Sequence, residues 1–564
     1  MKFKESLADF RRKAMRRGSE SSSDAESMQT RGISSFVDRF VETPDDPPAT
    51  TFFSPFTRNS KKDPVLIDEG YVASVHEETV DSPENIFEDE FSDEEFDSHH
   101  IKGWRTFKKF LSFIGPGIMV SVAYMDPGNY STDIQGGAQF QYKLLFVILL
   151  STIIAIYLQI LAIRLGSITG KDLAQSCRAH LPRWISWFIW FLAESAIIAT
   201  DIAEVAGTAI ALKVLLNIPL IAGVFITIAD TLLVIAVYGR ENGMRALRIL
   251  EWVVTALLLT VLVCFCVILA KIPKANIGQV FYGYVPSSAI VTSEGIYAAA
   301  GILGATVMPH SLYLGSAQTI PRVREHDIKN GYRPRSRDEK TDAYKPSVEA
   351  IRATIKYAIT ETVIALSTVA LFINSAILIV AGDTMYGSEE AENADLFSLN
   401  DMLKLYLGKG IAIVFFVALL ASGLSSSVIC TIAGQIVGEG HIKWKTKAWV
   451  RRLVTRLISL IPCAVVVGCV GQKGISDAIN WSQVVLTITL PFLTMQLVYL
   501  TSSKKVMAVN IKNYQNNGKY ITYSEDEKRN DYANGWISTI FGSLVTIFLF
   551  VANCYLLVEI GLTN

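Results

Sequence analysis

Polar and apolar positions divide this chain into two unlike parts. Residues 1 to about 103 carry serine runs, scattered prolines and a block from Asp81 to Asp97 with nine acidic and no basic side chains. Such a segment buries too little apolar surface to fold alone, so it reads as a disordered tail. Beyond it, apolar runs near twenty residues long recur, the length at which a helix crosses roughly 30 Å of hydrocarbon. Eleven are expected, near 110–133, 143–164, 184–212, 218–238, 249–271, 294–319, 351–380, 409–437, 451–471, 480–500 and 536–559. The pattern predicts an all-α integral membrane protein, with a tail over 1–103 and one transmembrane domain over 104–564.

Two of the runs are interrupted in matching positions. The first contains Met125-Asp126-Pro127-Gly128-Asn129 near its middle, and the sixth contains Gly304-Ala305-Thr306-Val307-Met308-Pro309-His310. Proline removes a backbone donor and clashes with the preceding turn, so both helices should break there. Carbonyls freed at mid-membrane are tolerated only where they line a cavity. Broken helices five spans apart point to an inverted-repeat transporter with its site at the midplane.

Composition agrees. Half of the 564 residues are hydrophobic, and the mean hydropathy is +0.33 in spite of the polar tail. The net charge of −1 gives no case for nucleic-acid binding, because Lys and Arg are spaced between the apolar runs instead of pooled. Their spacing speaks to topology. Arg164, Lys171, Arg178 and Arg183 follow span two, Arg240, Arg245 and Arg248 follow span four, and a basic loop over 320–350 follows span six. Lys443, Lys445, Lys447, Arg451 and Arg452 follow span eight, and Lys504 and Lys505 follow span ten. The alternate loop over 381–408 is acidic, with Glu389, Glu390, Glu392 and Asp395. By the positive-inside rule the N-terminus is cytoplasmic and the C-terminus faces the other side. The seven cysteines form no CxxC pair, so neither a disulfide scaffold nor a thiolate zinc site is expected. The basic, polar start has no apolar core and does not read as a cleaved secretory signal.

A carboxylate at the centre of a span is costly unless it faces a partner, water or a cation, which makes Asp126 a site candidate. Asn129 adds a neutral oxygen. Opposite them, Met308 offers a thioether beside the carbonyl of Ala305, which loses its helical partner because Pro309 has no N–H. Calcium and magnesium gain nothing from sulfur, whereas Mn²⁺, Fe²⁺, Co²⁺ and Cd²⁺ accept mixed ligands. A lone methionine in a span would be core filling; one on a helix break opposite an intramembrane Asp argues for a transition-metal substrate. His310 stands inside the same span and suits proton exchange. On span three, Glu194, Asp201 and Glu204 share one helix face, which suggests either a proton relay or a static bracing network. Asp230, Glu251, Glu361 and Glu559 look peripheral and receive no role.

The two broken motifs, together with the span-three run Ala199-Thr200-Asp201-Ile202-Ala203-Glu204, resemble the Nramp family. The likeness extends to Gly434-Gln435-Ile436-Val437-Gly438-Glu439-Gly440 after span eight and to Asn480-Trp481-Ser482-Gln483-Val484-Val485-Leu486 at the start of span ten. The long tail, the extended basic loop and the run from Gly315 to Arg324 look most like the fungal manganese transporters of that family. The resemblance implies a LeuT-type fold, ten spans in two inverted halves plus one, moving Mn²⁺ or Fe²⁺ with protons into the cytosol. It further implies metal-binding roles for Asp126, Asn129, Met308, Gln483 and the carbonyls of Ala123 and Ala305. Asp201, Glu204 and His310 match its proton-pathway positions. Several relatives have glutamine where this chain has Leu424, though bacterial members share the leucine.

Other classes fit less well. A metal sensor would want a large cytosolic signalling domain, for which the loops and C-terminal segment leave no room. A sodium-coupled amino-acid symporter would need open amides at the span-one break, with no Asp pointing in. No nucleophile with a neighbouring base and no phosphate loop supports an enzyme, and no cofactor is expected. The expected partners are divalent metal ions, protons and the lipid bilayer, with possible regulatory partners for the tail. The expected location is the plasma membrane or an endosomal or Golgi vesicle membrane.

Overall fold

A computed structural model describes residues 115–229, 243–272, 276–330, 344–443, 448–510 and 529–563. The tail over 1–103, the far part of the fourth run and the middle of the basic loop lie outside the described residues. Span one is two helices, α1 (Pro116–Val122) and α2 (Pro127–Phe140). They are followed by α3 (Leu145–Thr169), α4 (Leu173–His180), α5 (Arg183–Leu216), α6 (Leu220–Ile226), α7 (Gly243–Lys271) and α8 (Ile277–Tyr282). Span six is again two helices, α9 (Ser293–Thr306) and α10 (Pro309–Gln318), continued by α11 (Ile320–Lys329). Span seven joins α12 (Val348–Ala365) to α13 (Leu371–Thr384) through a π-turn over Leu366–Ala370. Then come α14 (Leu396–Tyr406), α15 (Lys409–Ile442), α16 (Ala448–Val470), α17 (Gln472–Ser502) and α18 (Trp536–Thr563). A small antiparallel pair, Ala508–Asn510 with Arg529–Asp531, departs from the all-α expectation between spans ten and eleven.

Among the described residues, eight continuous helices are long and apolar enough to cross a membrane. The two broken spans and α6, which begins the fourth run, account for the remaining three positions. Both breaks fall where proline predicts. Asp126 and Met308, each preceding a proline, are extended, with φ −79°, ψ 167° and φ −68°, ψ 116°, because the proline ring disfavours a helical predecessor. Each proline then opens the second half-helix, where a missing N–H costs nothing.

Packing sets these breaks inside the bundle. α2 lies on α13, α10 on α3, and α5 on α15, α16 and α17. Small residues allow close approach. A Cβ on Gly207 of α5 would sit 2.2 Å from Pro127 Cβ, so α5 runs flush against the first break.

Candidate metal centre

The two breaks use one device. Pro127 has no N–H for the Ala123 carbonyl four residues back, and Pro309 none for that of Ala305. Both alanines are fully buried. The adjacent span-one carbonyls are held from outside: Asn374 Nδ2 on α13 donates to Tyr124 O at 3.0 Å, and Ser422 Oγ on α15 donates to Met125 O. Spans seven and eight therefore support the unwound segment.

Asp126 is 0% exposed. Its Oδ1 accepts the Asn129 N–H at 3.0 Å, capping α2. Its Oδ2 has no hydrogen-bond partner among the described residues, and neither do Asn129 Oδ1 and Nδ2 or Gln483 Oε1. Native interiors pair nearly all such atoms, and each orphan costs about 1–3 kcal/mol, more when charged. Gln483, on α17, presses against the first break: a Cβ on Gly128 would lie 2.0 Å from its Nε2 and 2.9 Å from its Oε1. Only glycine admits that amide. Met308 is fully buried against Ala196 and Ala199 of α5 and Leu486 of α17. α17 thus touches both breaks, through Gln483 at one and Leu486 a turn later at the other. A second link is polar. Gln159 Nε2 on α3 donates to Tyr124 Oη at 2.8 Å and to Ser311 Oγ at 2.9 Å, and Ser311 Oγ lies 2.7 Å from the Met308 carbonyl.

Asp201 and Glu204 come together as their spacing predicts, around a residue the sequence reading passed over. Arg456 of α16, almost wholly buried, pairs with Asp201 Oδ1 and lies 3.9 Å from Glu204 Oε2. Ser459 donates to Asp201 Oδ2 at 2.7 Å, and Ser426 to Glu204 Oε1 at 2.5 Å. Cys430 Sγ completes a trio with the two acids, all within 4.8 Å. The trio resembles a metal cluster by residue type, but the guanidinium already supplies the positive charge a cation would have to displace. Half-buried Glu194 stands two turns back along α5. His310, 1% exposed, places Nδ1 3.5 Å from Thr200 Oγ1, and its Nε2 has no partner among the described residues. It connects the first turn of α10 to the residue before Asp201.

Glu361 is not peripheral. Glu361 is 4% exposed, and its Oε1 accepts the N–H groups of Gly115 at 2.6 Å and Gly117 at 2.9 Å. A carboxylate there satisfies the free donors at the start of α1. Arg322 lies 3.9 Å from Glu361 and 3.5 Å from Glu251.

The comparisons with known proteins bear on this arrangement. The profile described as "Natural resistance-associated macrophage protein-like", Nramp, matches residues 117–524. The chain is 44% identical over 554 residues to the manganese transporter SMF1 of Saccharomyces cerevisiae, covering 90% of this chain and 95% of that one. It is 47% identical over 409 residues to the iron transporter SMF3 of the same yeast, covering 72% and 85%. A crystal structure of the Eremococcus coleocola manganese transporter, bound to an aromatic bis-isothiourea compound, superposes with a TM-score of 0.66 at 32% identity, covering 83% and 89%. The paired breaks, the helical architecture and these likenesses agree, and the chain belongs to the Nramp family of membrane transporters.

Proposed function

We propose that this protein is a secondary active transporter that imports divalent transition-metal ions, Mn²⁺ first and also Fe²⁺, Co²⁺ and Cd²⁺, into the cytosol with proton cotransport by alternating access. One observation carries the reading: Asp126 Oδ2, Asn129 Oδ1 and Gln483 Oε1 are buried without hydrogen-bond partners among the described residues, at a helix break pressed by the helix that also contacts Met308. A cation supplies what those oxygens lack. Asp126 gives the counter-charge, Asn129, Gln483 and the Ala123 and Ala305 carbonyls replace hydrating water, and the Met308 thioether favours softer ions over Ca²⁺ and Mg²⁺.

Protons take a separate route. His310, at the metal break, places Nδ1 3.5 Å from Thr200 on the helix that carries Asp201 and Glu204. Two carboxyl groups there share one guanidinium, so a single proton balances the group. The relatives' substrates, manganese for one and iron for the other, support the choice of ion. The basic loops favour a cytoplasmic N-terminus, in the plasma membrane or in endosomal or Golgi vesicles. The tail is a place for regulatory partners. Proteoliposomes holding the full chain test the proposal: an inward acid gradient should drive Mn²⁺ uptake, accompanied by proton entry. Uptake indifferent to the gradient, or equal uptake of Mg²⁺, would defeat it.

A further inference from the structure

A second polar cluster lies away from both the metal centre and the Arg456 group, at the end of the bundle that the basic loops place in the cytosol. His441 stands one residue before the end of α15, just ahead of Lys443 and the basic loop. Its Nδ1 is 3.0 Å from Ser186 Oγ in the first turn of α5, and its Nε2 is 3.4 Å from Tyr313 Oη on α10. The Tyr313 and His441 rings meet edge to face, with centroids 5.9 Å apart. Gln496 Nε2 of α17 donates to Tyr313 Oη at 2.8 Å, and Cys177 Sγ of α4 donates to Gln496 Oε1 at 2.8 Å. All five side chains are buried.

One proton assignment gives each of the four contacts a donor and an acceptor. Tyr313 Oη already accepts from Gln496, so its own hydrogen points at His441 Nε2, which accepts. The ring hydrogen is then on Nδ1 and reaches Ser186. The chain of bonds is directional, running from Cys177 through Gln496, Tyr313 and His441 to Ser186. Apolar surfaces can slide past one another by small steps. Buried polar groups hold one register, because any slip leaves several unpaired at once.

Tyr313 is five residues beyond Met308 on the same half-helix. We propose that His441 is the positioning residue that locks α10 to α15 and α17 on the cytoplasmic side, and that its bond to Tyr313 must release before a bound ion can leave toward the cytosol. The gating role rests on the transport reading, since an ion held at Met308 leaves only when the wall beneath it parts. The lock itself does not rest on that reading.

Cys177, buried in the cluster, is a built-in reporter. The full chain in liposomes is treated with N-ethylmaleimide, and Cys177 modification is read by peptide mass spectrometry, with Mn²⁺ uptake measured in parallel. Tyr313→Phe removes the phenol hydrogen bonds and keeps the ring, and His441→Phe removes both histidine bonds. Each should raise Cys177 modification without metal by about 5–30-fold, the factor set by losing one or two buried hydrogen bonds. Apparent Mn²⁺ affinity should change much less, because the closed, binding-competent fraction stays near one while the open state is a minority, and maximal rate should be retained. His441→Gln, which can still accept from Tyr313 and donate to Ser186, should recover most of the protection. Wild-type protection in both Phe variants overturns the proposal, as does a loss in His441→Gln equal to that in His441→Phe. If His441→Phe does not fold, Tyr313→Phe alone decides. Failure of wild-type Mn²⁺ uptake would sink the transport reading, while the Cys177 readout would still judge the lock.

Discussion

Replacing Gly207 with alanine perturbs the centre without touching any proposed ligand. The added Cβ would stand 2.2 Å from Pro127 Cβ and 2.6 Å from its Cγ. Carbon atoms rest at about 3.5–4.0 Å, so α5 and Pro127 must part by about 1.3 Å. The proline ring cannot rotate aside, because its φ is locked. Overpacking of this kind costs about 1–3 kcal/mol, which a bundle of this size survives. The displacement falls on the residue next to Asp126, however, and a shift of ~1 Å in a positioned group can cost about 100-fold in rate. Gly207→Ala should therefore insert and purify normally while Mn²⁺ uptake in proteoliposomes falls about 10–100-fold. Gly434→Ala is the control: its Cβ would meet nothing nearer than Ile197 Cγ2, at an ordinary 3.6 Å, and uptake should be unchanged. Wild-type rate and affinity in Gly207→Ala would refute the claim that close contact between α5 and Pro127 sets the geometry of Asp126.

Arg456→Ala leaves Asp201 and Glu204 buried without their counter-charge and should cost about 3–5 kcal/mol, seen as earlier thermal aggregation in detergent, with much of the loss recovered by adding Asp201→Asn and Glu204→Gln. Met308→Ala removes the soft ligand, so Cd²⁺ uptake should fall more than Mn²⁺ uptake and Ca²⁺ should begin to compete; a uniform loss repaired by Met308→Leu would assign Met308 to packing instead. Mn²⁺ uptake should rise as external pH falls from about 7.5 to 5.5, because more protons are available for cotransport, and Asp201→Asn or His310→Ala should flatten that response. Retention of wild-type proton flux by both variants would remove those residues from the proton route.

Much of the centre was legible because its residues break local rules. Proline and glycine inside apolar runs marked both unwound segments, and the carboxylate of Asp126 among apolar neighbours marked the candidate site. Arg456 broke the same rule but stands four residues beyond Arg452, where it merges with the basic loop that serves topology. Tyr124, Gln159 and Ser311 carry no such mark. Neutral polar side chains are ordinary in a span, and their meeting depends on α3 packing against α10, which periodicity does not disclose. Glu361 read as peripheral because its partners, the first amides of α1, are 244 and 246 residues away in sequence. The π-turn before Asn374 shifts the register of span seven without any proline or glycine, so the donor to Tyr124 O could not be placed from the sequence.

We propose that one mid-membrane site holds a divalent metal through oxygens at the span-one break and the sulfur of Met308. X-ray absorption on the purified full chain loaded with one equivalent of Cd²⁺ tests it most directly, because sulfur and oxygen scatterers are distinguished around the bound ion. A mixed shell with a single sulfur is expected in the wild type, an all-oxygen shell in Met308→Ala, and no stoichiometric Cd²⁺ in Asp126→Ala. A wild-type shell without sulfur, or Cd²⁺ bound at full occupancy in Asp126→Ala, would contradict it.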